Sequence, residues 1–157
     1  MKRRKILKII ATFVVAGVII GGGIGLYMFN MPQRDVQSEP TDFALTGTEI
    51  VQEYLDDKDA ANQKYLASDG NSKILEVTGI VKNITEDFNG LKVVLLKGED
   101  DLAGVSATFT PETEKGLDGI ETGQTITVKG VIRSGASYDV DLGFYLNVIL
   151  EKSAVIR

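Results

Sequence analysis

The side chains that could do chemistry are few in kind, because the 157 residues include no cysteine and no histidine. Thiolate catalysis and disulfides are therefore excluded, and the usual general base and the commonest zinc ligand are missing. Asp139 and Asp141 alternate with Val140, so both carboxylates could face one way and bind a cation, although carboxylates on loops are more often solvated. We predict no catalytic residue, no metal site and no cofactor, and hence a protein that is not an enzyme.

Two aromatic and three basic side chains are the weak candidates for ligand binding. Phe88 and Tyr138 could stack on bases or sugars, and positive charge would come from Lys92, Lys97 and Arg133. The alternative, which we favour, is that the two rings pack on the domain and the basic side chains are solvated. A nucleic-acid binder would need several exposed aromatic residues in a basic groove.

The distribution of charge also argues against nucleic acid as the ligand. Five of the 17 Lys and Arg residues lie in the first eight positions, which leaves 12 against all 22 Asp and Glu from residue 9 onward. A surface with about ten excess acids repels phosphate backbones unless its charge is strongly segregated.

The first 30 residues predict a membrane anchor. Residues 9–29 carry no charge, and a helix of that length spans roughly the 30 Å of a bilayer's hydrocarbon core. The basic residues at 1–8 should stay in the cytoplasm, so a single-pass helix would carry the rest of the chain outside. The rival interpretation, a cleaved signal peptide, fits less well because the apolar run is long and ends in bulky residues.

Three glycines of this segment are candidates for helix packing. Gly17, Gly21 and Gly25 fall on one helix face, where a second helix could approach closely. Homo-association through this face is one interpretation. The other is that glycine is simply frequent in membrane helices.

The next part of the chain predicts a linker and then an amphipathic helix. Residues 30–45 contain two prolines and several charges without an apolar period, which is typical of an extended tether. Thr46 and Glu49 match a capping box. Apolar residues then recur at helical spacing, so we predict one helix from about Gly47 to Leu66, at the start of a domain that covers residues 46–157.

Two glycine-centred β-branched runs organise the rest of the domain. They are Val77-Thr78-Gly79-Ile80-Val81 and Val128-Lys129-Gly130-Val131-Ile132. A glycine inside a strand usually marks a bulge or a bend, and two bent strands indicate a small barrel whose strands turn its corners. We therefore predict a mainly β domain with a five-stranded OB-type Greek-key barrel.

Alternating apolar residues place the five strands. They are expected at Lys73 to Thr85, Leu91 to Lys97, around Val105 to Phe109, Gln124 to Arg133, and from Asp141 onward. Thr110-Pro111-Glu112 predicts a short helix between the third and fourth strands. In the fourth strand Lys129 should point outward. In the fifth strand the predicted inner row is Leu142, Phe144, Leu146, Val148 and Leu150.

Several of these stretches resemble one known family. Glu76-Val77-Thr78-Gly79-Ile80-Val81, Ala103-Gly104-Val105-Ser106-Ala107-Thr108-Phe109 and the run from Gly119 to Gly130 are similar to strands of the bacterial tRNA-anti-like OB-fold family. The tether at 30–36 after a membrane segment resembles membrane-anchored, largely uncharacterised members. The resemblance implies an OB fold in the bacterial cytoplasmic (inner) membrane, brings no catalytic residues, and suggests nucleic acid only by analogy.

Three functions remain open. The first is a non-enzymatic binding or scaffold module outside the cytoplasm, with an unknown protein or small ligand. The second is an oligonucleotide-binding OB-fold protein, which a continuous basic stripe across strands two and three would favour. The third is a small-ligand or cation-binding domain, which a pocket containing Asp139, Asp141 and another acid would favour.

Overall fold

The computed structural model describes residues 2–29 and 34–156, with side chains described at 13–27 and 34–156. It divides into two units between Arg34 and Asp35. The first unit contains helix α1 (Lys2–Phe29), whose described apolar side chains, such as Phe13 and Leu26, are exposed. Among the described residues, no helix combines the length and the apolar character that crossing a membrane requires. The predicted transmembrane span at 9–29 therefore gains no support from this finding.

The second unit contains two α-helices, a 3-10 helix and eight strands. In chain order its elements are β1 (Phe43–Thr46), α2 (Gly47–Asp56), α3 (Lys58–Tyr65), β2 (Ile74–Glu86), β3 (Lys92–Leu96), β4 (Val105–Phe109), the 3-10 helix (Glu114–Leu117), β5 (Thr125–Ser134), β6 (Ser137–Asp139), β7 (Phe144–Leu146) and β8 (Val148–Ile156).

Five of these strands close into a barrel. β2 pairs with β3, β3 with β4, β4 in parallel with β8, β8 with β5, and β5 again with β2. This is the strand order of an OB-type Greek-key barrel, so the predicted mainly β fold class is confirmed. The short helix predicted between the third and fourth barrel strands is the 3-10 helix between β4 and β5.

The two glycines predicted to mark bends lie beside irregularities in strand pairing, which are a change of partner strand in β2 and a shift of register in β5. β2 pairs with β5 as far as Ile80 and with β3 from Val81, so its partner changes one residue beyond Gly79. In β5 the register against β8 shifts at Gly130. A Cβ on Gly130 would lie 2.6 Å from Oγ of Ser153, so a neighbouring strand occupies the space that a side chain would need.

The barrel interior is filled by alternate residues of its strands and by one helix. Val105, Ala107 and Phe109 of β4 are buried and the residues between them are half-buried, as the alternation predicts. Ile50 and Tyr54 of α2 join the same core. The helix thus contributes its apolar face to the barrel core.

The predicted single helix from 47 to 66 is instead two helices. The capping box at Thr46 and Glu49 is present and starts α2. Asp57 then adopts an extended conformation, and its Oδ1 accepts the backbone N–H of Ala60 at 3.0 Å, which starts α3. The break has a local cause, because an aspartate side chain bonds the first turn of a helix better than it tolerates a helix interior.

The residues predicted as a tether contain a part that packs on the barrel. Val36 is buried against Ile74 and Val131, which point outward from β2 and β5. Nε2 of Gln37 donates to the carbonyl oxygens of Lys129 (3.3 Å) and Lys152 (2.7 Å). Residues 35–42 therefore cover the outer face of the barrel, and we call them the cover segment.

This cover also corrects the placement of Lys129. Its side chain leaves the outer face of β5 as predicted, but it is buried, because its ammonium donates to the carbonyl oxygens of Gln37 (3.2 Å) and Glu39 (2.5 Å). The strand β1 that follows the cover segment pairs in parallel with the first half of β2.

The predicted fifth strand is wrong in its first half. Val148 and Leu150 of β8 are buried, whereas Leu142, Phe144 and Leu146 are exposed. Residues 137–146 form a separate two-stranded hairpin of β6 and β7. The alternating pattern runs on through both strands without a break, so the sequence pattern alone did not show where the barrel strand begins.

Candidate binding groove beside α3

The five residues predicted to bind a ligand lie on separate elements. Phe88 is fully exposed in the loop between β2 and β3, so the favoured prediction that its ring packs on the domain is wrong. The ammonium of Lys92 pairs with Glu86, and Nε of Arg133 lies 3.0 Å from Oε2 of Glu151. Nζ of Lys97 donates to the carbonyl oxygen of Leu102 at 3.3 Å.

Tyr138, the fifth candidate, contacts its cross-strand neighbour. Its ring centroid lies 4.9 Å from that of Tyr145 in the β6–β7 hairpin. The described contacts of the five candidates thus join none of them to another, and each of the three basic side chains contacts an oxygen of the protein itself.

The aspartates singled out as a cation site have a local structural role. Oδ1 of Asp139 accepts the backbone N–H groups of Asp141 (2.9 Å) and Leu142 (3.0 Å). These bonds close the turn of the hairpin, in which Gly143 has a φ of 73°. In the described parts of the chain, no three carboxylates lie close enough together to hold a metal ion.

A groove between α3 and the β6–β7 hairpin has the size of a small-ligand binding site and is lined by polar and apolar side chains. It has a volume of about 510 Å³, within the range of about 300–1,000 Å³ that small-ligand sites occupy. We call it the α3 groove. Its lining residues come from α3 and the residue after it, from β4, from the end of β5, from the hairpin and from β8. They are Lys58, Asn62, Leu66, Ser106, Ser134, Gly135, Ser137, Leu146, Asn147 and Ile149.

The polar side chains of this groove are largely without protein partners. In the described chain no hydrogen bond is formed by the side chains of Ser106, Ser134, Ser137 and Asn62. Asn147 is held in place because its Oδ1 accepts the backbone N–H of Gly104 at 2.8 Å, which leaves its amide N–H groups for another acceptor.

In two other depressions of the surface, polar side chains are hydrogen-bonded to other groups of the protein. In a depression of about 620 Å³ beside β1, Thr78 and Thr127 bond each other at 2.8 Å and Thr46 bonds Glu49. In a smaller one beside α2, the carboxylate of Asp101 bonds Thr48 and the backbone N–H of Gly98. Their polar groups partner one another, so the α3 groove is the best candidate of these three.

The floor of the α3 groove is set by one glycine over an aromatic ring. A Cβ on Gly135 would lie 1.9 Å from Cε1 of Tyr54, so no side chain fits at this position. Tyr54 is buried beneath it, its hydroxyl has no partner within the described chain, and burial raises its pKa to about 12. The phenol therefore stays neutral at ordinary pH.

The wall formed by α3 is attached to α2 through a charged network. Oε2 of Glu53 accepts hydrogen bonds from Nζ of Lys64 and from the hydroxyl of Tyr65, both at 2.8 Å. Nζ of Lys64 also lies 5.2 Å from the ring centroid of Phe43. Burial acts to raise the pKa of Glu53, but the bonds from Lys64 and Tyr65 outweigh it and hold that pKa below its ordinary value.

Sequence reasoning missed this groove because its residues are far apart in the chain. Ser134, Gly135 and Ser137 follow the predicted fourth strand, and Ser106 lies within the predicted third strand. Their convergence with Asn62 depends on the position of α3, and no periodic pattern reports that position.

Gly17, Gly21 and Gly25 lie in α1 with open space at each Cβ position, and their packing role stays a prediction.

Comparison with known proteins agrees with this fold. The crystal structure of a "putative nucleic acid-binding lipoprotein" from Klebsiella pneumoniae subsp. pneumoniae MGH 78578 matches with a TM-score of 0.54 and 15% identity, over 76% of this chain and 100% of that one. At this identity the likeness shows the fold alone. No match was found among curated proteins. The tRNA_anti-like family profile matches residues 1–142, and the chain therefore belongs to the tRNA_anti-like family.

Proposed function

We propose that this protein is a non-enzymatic OB-fold binding module whose ligand binds in the α3 groove. The observation that carries the proposal is the set of hydroxyl and amide groups in that groove that have no partner in the described chain. Polar groups placed together in a concavity, beside apolar walls such as Leu66 and Ile149, are what orients a ligand in a small-molecule site.

Filling the groove tests this proposal. Ser106→Trp would place an indole ring in the groove, whereas Thr108→Trp changes the same strand and the same face two residues away, outside the lining. Thermal stabilisation by a panel of sugars, peptides and nucleotides should appear in the parent and in Thr108→Trp, and should disappear in Ser106→Trp. A ligand that stabilises both variants equally would place binding elsewhere.

We further propose that the N-terminal segment tethers the binding unit to the cytoplasmic membrane, with the barrel outside. This is supported by the uncharged run at 9–29, the preceding basic cluster and the exposed apolar side chains at 13–27 of α1. Protease added to intact cells, with any outer membrane permeabilised, should digest the barrel. Cleavage only after lysis of the inner membrane would contradict this topology.

Oligonucleotide binding is the second candidate, because the fold is shared with the Klebsiella protein, whose name refers to nucleic acid. It is less well supported. The three basic side chains predicted to serve it contact Glu86, Glu151 and a backbone carbonyl oxygen. Binding to a phosphate backbone would have to break or share those contacts.

A further inference from the structure

The hydrogen-bonding groups of the α3 groove match a particular kind of ligand. Hydroxyl groups of Ser106, Ser134 and Ser137 each donate and accept, and so does the amide of Asn62. The amide nitrogen of Asn147 adds donors, because its oxygen is already bonded to Gly104. A ligand whose own groups both donate and accept, as hydroxyls do, complements this set better than a ligand with acceptors only.

The groove also has an apolar rim that suits the C–H face of a sugar ring. Leu146 and Ile149 line the groove and are exposed. Phe144 is outside the lining, but it shares the hairpin face of Leu146, because residues two apart in a strand point to the same side. Its ring is about half exposed. The apolar side chains of Leu146 and Ile149 beside hydroxyl and amide groups offer contact with a ring's C–H face and hydrogen bonding to the same ligand.

The charge of the second unit argues against a polyphosphate ligand, and the pairing of the barrel strands limits where a peptide could add as a strand. Lys58 is the one charged residue in the described lining of the groove. Six of the 17 Lys and Arg precede Asp35, so the residues from Asp35 onward have 11 against 22 Asp and Glu. A polyphosphate chain therefore finds little compensation. Both edges of β4 and of β8 are paired within the barrel, so a peptide cannot add to these two strands, and of the lining strands only β6 and β7 have an edge that a peptide could pair with.

We propose that the α3 groove binds a neutral saccharide, with its hydroxyls on the serine and asparagine side chains and a ring face against Leu146 and Ile149. This assignment rests on the proposed function, namely that the α3 groove is the binding site.

The test uses the full chain in phosphatidylcholine nanodiscs, because sugar-based detergents would compete for the groove. Methyl signals of Leu146 and Ile149 are followed by NMR during titration with maltotetraose, cellotetraose and tetra-N-acetylchitotetraose. Tetra-alanine and a thymidine tetranucleotide serve as comparison ligands. We expect saturable shifts with at least one saccharide and none with the comparison ligands.

Variants connect those shifts to the groove. Asn62→Leu and Ser106→Leu should each weaken saccharide binding at least tenfold, while Thr108→Leu, a matched change on the same strand face, should leave it unchanged. Spectra of each variant without ligand report whether the fold is intact. Equal affinity in the Asn62→Leu, Ser106→Leu and Thr108→Leu proteins would overturn the assignment.

The outcomes separate the two proposals. Shifts with the peptide or the oligonucleotide and none with the saccharides would overturn the ligand class but keep the groove as the binding site. Unchanged methyl signals with all three classes would overturn the groove itself, and with it the proposed function.

Discussion

At the scale of single residues, Glu53 is the carboxylate whose titration should affect stability most directly. Lys64 and Tyr65 both donate to it, and through them α3 is held against α2. Its pKa lies below the ordinary value of 4.5 in the folded chain. A group with a lowered folded pKa stabilises the fold above its unfolded pKa, and this contribution is lost as the pH falls through the folded pKa.

We therefore predict that part of the loss of stability below about pH 4.5 comes from Glu53. Glu53→Gln should cost up to about 1 kcal/mol near neutral pH, because the ion pair is partly exposed and screened. The cost should shrink in acid. Urea unfolding at several pH values measures this, with Glu99→Gln in the exposed turn after β3 as the control. An equal pH dependence in both variants would contradict the role of Glu53.

Gly135 is the residue at which the smallest change should have the largest effect. Its Cβ position overlaps the ring of the buried Tyr54, so Gly135→Ala forces either the ring or the loop to move. We predict a loss of about 2–3 kcal/mol, as for overpacking of a core. Gly116→Ala is the matched control, because its Cβ would lie 3.6 Å from Val155, an ordinary contact distance. Equal melting temperatures for the two variants would show that the loop yields easily.

At the scale of elements, the cover segment shows how a short stretch without regular structure completes the barrel. Val36 buries two outward apolar residues, and the carbonyl oxygens of Gln37 and Glu39 accept from the ammonium of Lys129. A buried ammonium needs such partners, because losing water without compensation is costly. The same lysine is consequently not available to an external ligand.

We predict that a fragment of residues 35–157 is more stable than one of residues 42–157. Burial of Val36 alone is worth about 1.5–3 kcal/mol, less the entropy of ordering the segment. Chemical denaturation of the two fragments gives the difference, and Val36→Ala in the longer fragment should reproduce much of it. Identical unfolding midpoints would mean that the cover segment contributes nothing.

At the scale of the whole molecule, the excess of acidic residues argues against nucleic acid as a ligand of the second unit. From Asp35 onward the acids exceed the bases by 22 to 11. Lys92, Lys97 and Arg133 contact protein oxygens, and Lys129 is buried. Stacking on one or two exposed aromatic side chains would contribute about 1–3 kcal/mol per base, and most of that gain is offset by the cost of ordering and immobilising a single strand.

We predict no useful binding of single-stranded DNA or tRNA by the fragment of residues 35–157 at physiological salt. Fluorescence anisotropy measures this directly, and repeating the titration at low salt separates weak electrostatic attraction from specific contact. Micromolar affinity with a steep salt dependence would refute the prediction. It would mean that the basic side chains leave their present partners and converge on the nucleic acid.

Local patterns in the sequence determined much of the architecture. The alternation in β4, the capping box at Thr46 and the glycines at both bends each depend on neighbours within a few residues, so they can be read directly. These local patterns were sufficient to predict the barrel. Phe88 and Tyr138 each follow a predicted strand, but nothing local showed that Phe88 is fully exposed while Tyr138 lies in a hairpin opposite Tyr145.

Only the tertiary structure decided which residues meet. The cover segment has one apolar residue and no period, so its packing on β2 and β5 depends on a hydrophobic patch that those strands present only once folded. The hairpin and β8 continue a single alternation, and the barrel closure separates them. The α3 groove joins residues from 58 to 149, because a concave surface is defined by elements that are distant in the chain and adjacent in space.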